Sequence, residues 1–250
     1  DAHRGARPVF FKIIFRYYTR KKHYFCKNNP DPAMNVVNLS EQPSLVSQYL
    51  AEMRDTNIQT DPLRFRRNLE RLGEIMAYEI SRTLDFSAEK IKTPLGVEAD
   101  CNVIADKIVL ATIFRAGIPF HQGFLRYFDN AENAFVSAYR KYKEKENFDV
   151  LIEYLATPRL EGKTLVICDP MLATGASMEL SYRALLTKGT PAKLHIASVI
   201  ASQKAVDYMN SVMPEDATLW VGVIDPEINA HSYIVPGLGD AGDLAYGVKE

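Results

Sequence analysis

Residues 165–168, Leu-Val-Ile-Cys, form an apolar run with no polar position, and Asp169 follows at once. A strand that is apolar at every position has no water-facing side, so it belongs inside a sheet covered on both faces. That requirement puts helices on both sides of a mostly parallel sheet. The same segment carries chemistry. After Asp169 come Pro170, Met171, Leu172, Ala173, Thr174, Gly175, Ala176 and Ser177, leading into a helical pattern. Strand, acid, small-residue loop and helix start is how α/β proteins build a phosphate cradle, where unpaired N–H groups and the positive end of a helix dipole converge. Thr174 and Ser177 add hydroxyl donors, and Gly175 lets an oxygen approach the main chain closely. Asp169 does not hold phosphate, because like charges repel; it suits the donor hydroxyls of a ribose.

The rest of the chain fits that frame. Asp61-Pro62 is an N-cap with proline at the first helical position. Phe65, Leu69, Leu72, Met76 and Ile80 then recur on one face, which predicts a helix from Pro62 to about Leu84. Strand patterns follow at 107–114, 134–140, 165–168, 194–200 and 218–224. Helical patterns lie between them at 116–127, 174–188 (closed by Gly189 and Pro191) and 203–213. The expected fold is α/β, a mostly parallel twisted sheet flanked by helices, with ligands bound beyond the carboxyl ends of the strands. The hydrophilic stretch 141–147, Lys-Tyr-Lys-Glu-Lys-Glu-Asn, lies between 134–140 and a further apolar stretch at 148–155, and suits the tip of a projecting β-arm.

Charge and cysteine usage narrow the function class. Eight of the 30 Lys/Arg but only two of the 31 Asp/Glu lie in residues 1–33, so the rest of the chain carries a net charge of −7. An acidic body is a poor partner for nucleic acid. No apolar stretch reaches the length of a membrane span. Cys26, Cys101 and Cys168 are scattered and the five histidines do not cluster. That spacing points away from a protein-held zinc site and towards a reducing, cytoplasmic setting. Residues 1–33, basic and aromatic, are expected to be an extension outside the fold, with Met34 opening the domain that runs to residue 250. A targeting peptide or membrane-surface helix is the alternative for this segment.

Two more segments carry site chemistry. Arg115-Ala116-Gly117-Ile118-Pro119 places a cation at a strand end and small residues at a helix start, which suits a pyrophosphate. In 233–243, Tyr-Ile-Val-Pro-Gly-Leu-Gly-Asp-Ala-Gly-Asp, three glycines and a proline imply a tight loop with exposed backbone. Exposed N–H and C=O groups can match the acceptor–donor–acceptor edge of a pyrimidine without charged side chains.

The run Asp169 to Ser177 resembles the phosphoribosyl-pyrophosphate (PRPP) loop of type I phosphoribosyltransferases. Pro170, where most of that superfamily has a second acid, is similar to the uracil phosphoribosyltransferases. The segment at 115–119 resembles that family's arginine loop, the string 233–243 its uracil loop, and Arg140 in Ser-Ala-Tyr-Arg an arginine carried on its flexible arm.

The resemblance implies transfer of a phosphoribosyl group from PRPP to uracil, giving UMP and pyrophosphate. Asp169, Arg115 and Asp240 would carry the chemistry. PRPP would be held by Arg115, Arg140, Asp240 and the loop Asp169, Pro170, Met171, Leu172, Ala173, Thr174, Gly175, Ala176 and Ser177. Uracil would be read by Ile234 and the backbone of Gly239, Asp240 and Ala241, with Asp243 capping or bracing that loop. The resemblance also implies magnesium carried on the substrate, a homodimer or larger homo-oligomer, and room for GTP as an allosteric effector. Ala176 replaces a usual glycine, and a positive φ there would cost ~1–2 kcal/mol. Leu244 replaces a common basic residue, Tyr246 a phenylalanine, and Lys141-Tyr142-Lys143 an acidic run. The rival functions are an RNA-binding regulator on the same fold and a catalytically idle scaffold.

Overall fold

The apolar face at Phe65, Leu69, Leu72, Met76 and Ile80 is buried in the computed structural model, each residue at 1% exposure or less. The structure describes residues 34–142 and 148–249, without the side chains of 138–151. In chain order the elements are β1 Asn35–Asn38, α1 Leu45–Arg54, α2 Pro62–Ser81, β2 Phe86–Lys92, β3 Glu98–Ile104, β4 Ile108–Ile113, α3 Gly117–Leu125, β5 Glu132–Tyr142 and β6 Phe148–Ala156. Then come β7 Thr164–Cys168, β8 Met171–Leu172, α4 Ala176–Leu185, β9 Lys193–Ser202, α5 Gln203–Val212, β10 Thr218–Asp225, β11 Glu227–Ile228, β12 Ile234–Val235 and α6 Ala241–Tyr246.

The main sheet runs β1-β10-β9-β7-β4-β5-β6, with β8 paired to β9. Every pairing is parallel except β5 with β6. Alternate residues of β4 go to opposite helix layers. Ile108 and Leu110 join α1, α2, α3 and α6 in one apolar core. Val109, Ala111 and Ile113 join α4 and α5 in the other. This two-sided burial is what the unbroken apolar run of β7 requires.

Sheet order fixes where a ligand goes. From β4 the chain crosses by α3 to β5 on one side, whereas from β7 it crosses by α4 to β9 on the other. β4 and β7 are neighbours, so the loops leaving them diverge and open a crevice at their carboxyl ends.

Asp61 caps α2 as expected, its side chain accepting from Leu63 N and Arg64 N. The helix ends three residues before Leu84, and α4 ends at Leu185 with a 3-10 turn to Lys188. The arm at 134–155 is the antiparallel pair β5–β6; its tip, 143–147, lies outside the described residues, as does the segment 1–33.

The sequence patterns gave no sign of β1, α1, β8, β11, β12 or α6, nor of the β2–β3 hairpin. That hairpin is a separate two-stranded sheet with Phe86, Ile91 and Ile104 exposed. β3 does alternate, with Ala99, Cys101 and Val103 half-buried between exposed residues, but no residue of either strand is fully buried, so the pattern is weak.

One buried histidine sets an acid limit. His195 on β9 is 5% exposed, and Trp220 Nε1 donates to its Nδ1 at 3.3 Å. Its Nε2 has no partner among the described residues. Burial, then the Lys193 charge, lowers its pKa from 6.5 to about 4. The unfolded imidazole takes a proton near 6.5 and the folded one does not until about 4. Stability from this group is therefore complete above pH 6.5 and is lost as pH falls towards 4. Urea unfolding should show a loss of about 2 kcal/mol between neutral pH and pH 5. In His195→Gln that share of the slope should vanish.

Candidate active site

Asp169 leaves β7 at its carboxyl end, with its N–H on Ala197 O at 3.1 Å and its Oδ1 accepting Met171 N at 3.3 Å. Pro170 O then accepts Val199 N and Ile200 N at 3.1 and 3.0 Å. Met171 and Leu172 are not free loop: they form β8 beside Ile200 and Ala201. Leu172 is 2% exposed, so it contributes backbone rather than a side chain. Thr174 and Ser177 are half-buried, on either side of the turn into α4.

Gly175 is the N-cap of α4, with φ at 81°. A Cβ there would lie 2.7 Å from Tyr208 Cδ1, so glycine is required by both conformation and space. No side chain caps α4. Its first N–H groups are thus not taken up by a side-chain cap, which is the arrangement that takes a phosphate. Ser232 is the one non-glycine with positive φ among the described residues, so Ala176 keeps an ordinary helical φ and its N–H at no strain.

The arginine loop sits directly beside this one. The peptide Phe114–Arg115 is cis, and α3 begins at Gly117. A Cβ on Gly117 would lie 2.4 Å from Thr112 Oγ1 and 3.2 Å from the carbonyl of Cys168. The start of α3 therefore rests on the end of β7, one residue before Asp169.

Arg115 reaches across to the third segment. Its Nη2 bonds Asp243 Oδ1 at 2.6 Å and its Nη1 donates to Gly247 O at 3.0 Å. These bonds use two of its five donors, and the side chain is 36% exposed. Segment 233–243 is not a loop throughout, since α6 starts at Ala241. Its cap is Asp240, whose Oδ1 accepts Asp243 N at 3.0 Å. Of the two roles expected for Asp243, capping or bracing, the structure shows the brace, through Arg115. Asp240 Oδ2 lies 3.8 Å from Lys249 Nζ. Ile234 and Ala241 are buried, at 4% and 2% exposure, so their side chains belong to the core and only their backbones are available to a base. Gly239 is exposed, with φ at 92°. Arg140 lies on the β5 arm at the register of Val150, its side chain outside the description.

Two residues that brace this segment, Arg54 and Asp225, were not among those the sequence patterns singled out. Asp225, at the carboxyl end of β10, is held by Arg54 through Nη1 at 2.9 Å and Nη2 at 2.7 Å. Asp225 Oδ2 accepts Gly237 N at 2.8 Å, and Arg54 Nη1 also donates to Gly237 O at 3.2 Å. Arg54 ends α1, which Glu52 fastens to α2 through Arg64 at 2.8 Å and Asn68 at 2.8 Å. The Arg64 hydrogen bond, chiefly, holds the Glu52 carboxyl down at about 2. An acid followed by proline at a strand end, as in Asp169-Pro170, recurs at Asp225-Pro226 and was the available clue. Of the family departures, Leu244 packs beside Gly239 and Tyr246 lies under the Arg66 guanidinium, so both serve loop packing.

A mostly parallel sheet with an uncapped helix start after one strand, an arginine after its neighbour and a glycine-rich segment beside them is the frame of an α/β transferase of the phosphoribosyltransferase class. Comparison with known proteins agrees. The family described as uracil phosphoribosyltransferase matches residues 40–248. The chain is 63% identical over 216 residues to a uracil phosphoribosyltransferase of Porphyromonas gingivalis, covering 86% of this chain and all of that one. It is 38% identical over 204 residues to one from Methanothermobacter thermautotrophicus, covering 81% and 92%. The solved structure of the AQ2163 protein from Aquifex aeolicus superposes with a TM-score of 0.76 at 30% identity, over 85% of this chain and 98% of that one. The chain belongs to the uracil phosphoribosyltransferase family.

Proposed function

We propose that the crevice between the Arg115, Asp169 and Asp240 segments is where this chain transfers the phosphoribosyl group of PRPP to uracil, giving UMP and pyrophosphate. The observation that carries this placement is convergence. Gly117 lies on the Cys168 carbonyl and Arg115 pairs with Asp243, so three stretches distant in sequence meet at one strand edge. The N–H groups of Gly175, Ala176 and Ser177 suit the 5′-phosphate, the Arg115 fork suits pyrophosphate, and Asp169 suits the ribose hydroxyls. Backbone at Ile234, Gly239 and Ala241 suits the base edge. Catalysis on this reading is positioning plus charge: the ribose becomes positive as pyrophosphate becomes negative, and the carboxylate and guanidinium stand on the matching sides.

Among the described residues no group of three His, Cys, Asp or Glu side chains gathers to hold a metal. The oxygen donors at the crevice, Asp169 and Asp240, suit the waters of a magnesium ion that arrives on the diphosphate, where it would screen the leaving charge.

Incubation with labelled uracil, PRPP and magnesium should yield UMP, resolved by chromatography. Arg115→Ala should raise KM for PRPP about tenfold or more, with a smaller change for uracil. Asp243→Asn, which weakens the ion pair and keeps the guanidinium, should leave KM for PRPP within about threefold. Equal rises for both substrates in Arg115→Ala would remove the arginine from the pyrophosphate site.

The enzyme is read as a homodimer or larger assembly. The β2–β3 hairpin supports this: two strands alone are marginal in water, and this pair exposes Leu95, Val97 and Phe86 at 89%, 61% and 49%. Light scattering on the intact protein and on Phe86→Glu tests it. No helix among the described residues is long and apolar enough to cross a membrane. Cys101 and Cys168 are free thiols, in keeping with a cytoplasmic setting.

A further inference from the structure

The phosphate loop is held from behind by α5, a helix that the reaction itself does not use. Ser202, fully buried at the junction of β9 and α5, donates its hydroxyl to Ala173 O at 2.7 Å and accepts Ala205 N at 2.9 Å. The same oxygen thus caps α5 and tethers the loop. Six residues on, the Tyr208 ring fills the space beside Gly175 that a Cβ would need. Its hydroxyl donates to Glu179 Oε2, while Arg183 donates to Glu179 Oε1 through Nε at 2.9 Å. Glu179 is 6% exposed and lies in the first turn of α4, next to the N–H groups assigned to the 5′-phosphate. A carboxylate there opposes an incoming dianion unless its oxygens are matched by donors. Tyr208 supplies the donor to Oε2, and Arg183 meets Oε1 through both Nε and Nη2, at 2.9 and 2.7 Å.

We propose that Ser202 and Tyr208 of α5 are positioning residues that set the affinity of the loop for PRPP, Ser202 by fixing Ala173 and Tyr208 by holding Gly175 in place and matching the Glu179 carboxylate. The inference rests on the assignment of 169–177 to PRPP. Neither residue touches substrate; each acts through the loop.

Steady-state kinetics of UMP formation tests it. Tyr208→Phe keeps the ring against Gly175 and removes only the hydroxyl. It should raise KM for PRPP about tenfold, leaving kcat within about threefold and KM for uracil within about twofold. Ser202→Ala should give the same split with a lower melting temperature, since it also removes the α5 cap. Adding Glu179→Gln to Tyr208→Phe should recover at least half of the lost PRPP affinity on a logarithmic scale, because the oxygen that lost its hydroxyl donor no longer carries charge. A merely structural role would not produce that rescue. Unchanged KM for PRPP in Tyr208→Phe, or KM rising equally for both substrates, overturns the proposal. Thr174→Ala, within the loop itself, is measured alongside. If it leaves KM for PRPP unchanged, the loop assignment is at fault; if it raises KM and the α5 variants do not, only the α5 inference fails.

Discussion

Asp169→Asn should lower kcat for UMP formation about 100-fold or more, with KM for both substrates changed by less than about threefold. Asparagine keeps an oxygen to accept Met171 N, and the backbone bond from Asp169 N to Ala197 O is untouched, so β8 and the loop stay in place. On the proposed reading, what disappears is one negative charge beside a ribose that turns positive in the transition state. Removing a fixed electrostatic partner of a developing charge typically costs ~10²–10³ in rate. An interaction made mainly in the transition state appears in kcat rather than KM. Initial rates at saturating PRPP and uracil decide the matter, and a rate within threefold of the parent would take Asp169 out of the chemistry.

Gly237→Ala should disable the segment 233–243, the proposed uracil site. Gly237 has φ at 66°, and a Cβ would lie 2.0 Å from the carbonyl oxygen of Ile234. No side-chain rotation relieves a contact with backbone, and the residue is pinned on both sides by Asp225 and Arg54. The expected result is a stability loss of about 3 kcal/mol in urea unfolding and a rise in KM for uracil of about tenfold or more. Gly239→Ala is the contrasting case. Its φ of 92° is also positive, but the nearest atom to an added Cβ is 3.7 Å away. Only the backbone term of ~1–2 kcal/mol should appear there. If the two variants behave alike, the Asp225–Arg54 clamp is not what fixes the loop.

Much of the fold was legible because local pattern reports how a segment is buried. The apolar run of β7 and the three-to-four spacing on α2 each specify a covered face without reference to anything distant. The β2–β3 hairpin was missed because none of its residues is fully buried and the alternation of Ala99, Cys101 and Val103 is short. The turn at 233–243 was read for its glycines and proline, and α6 was missed because six residues are too few for a period to register.

The site divides in the same way. Asp169, Arg115 and the glycine-rich stretch were visible because each follows a strand and each has a side-chain or backbone chemistry of its own. The braces were not. Arg54 meets Asp225 across 171 residues, Arg115 meets Asp243 across 128, and Ser202 meets Ala173 across 29. Each partner has many equivalents by composition, and nothing local selects among them.

Sequence alone determined the strands β4, β5, β7, β9 and β10, the buried face of α2, and that one sheet must be covered on both faces, and it marked out the segments at 115, 169 and 233–243, because these depend on neighbours a few residues away. Only the tertiary structure decided that β4 lies beside β7, that Asp240 caps α6 while Asp243 pairs with Arg115, and that α5 stands behind the loop at 169–177. Those outcomes depend on which distant surfaces share a register, and periodicity encodes the face a residue turns to but not the partner it finds there.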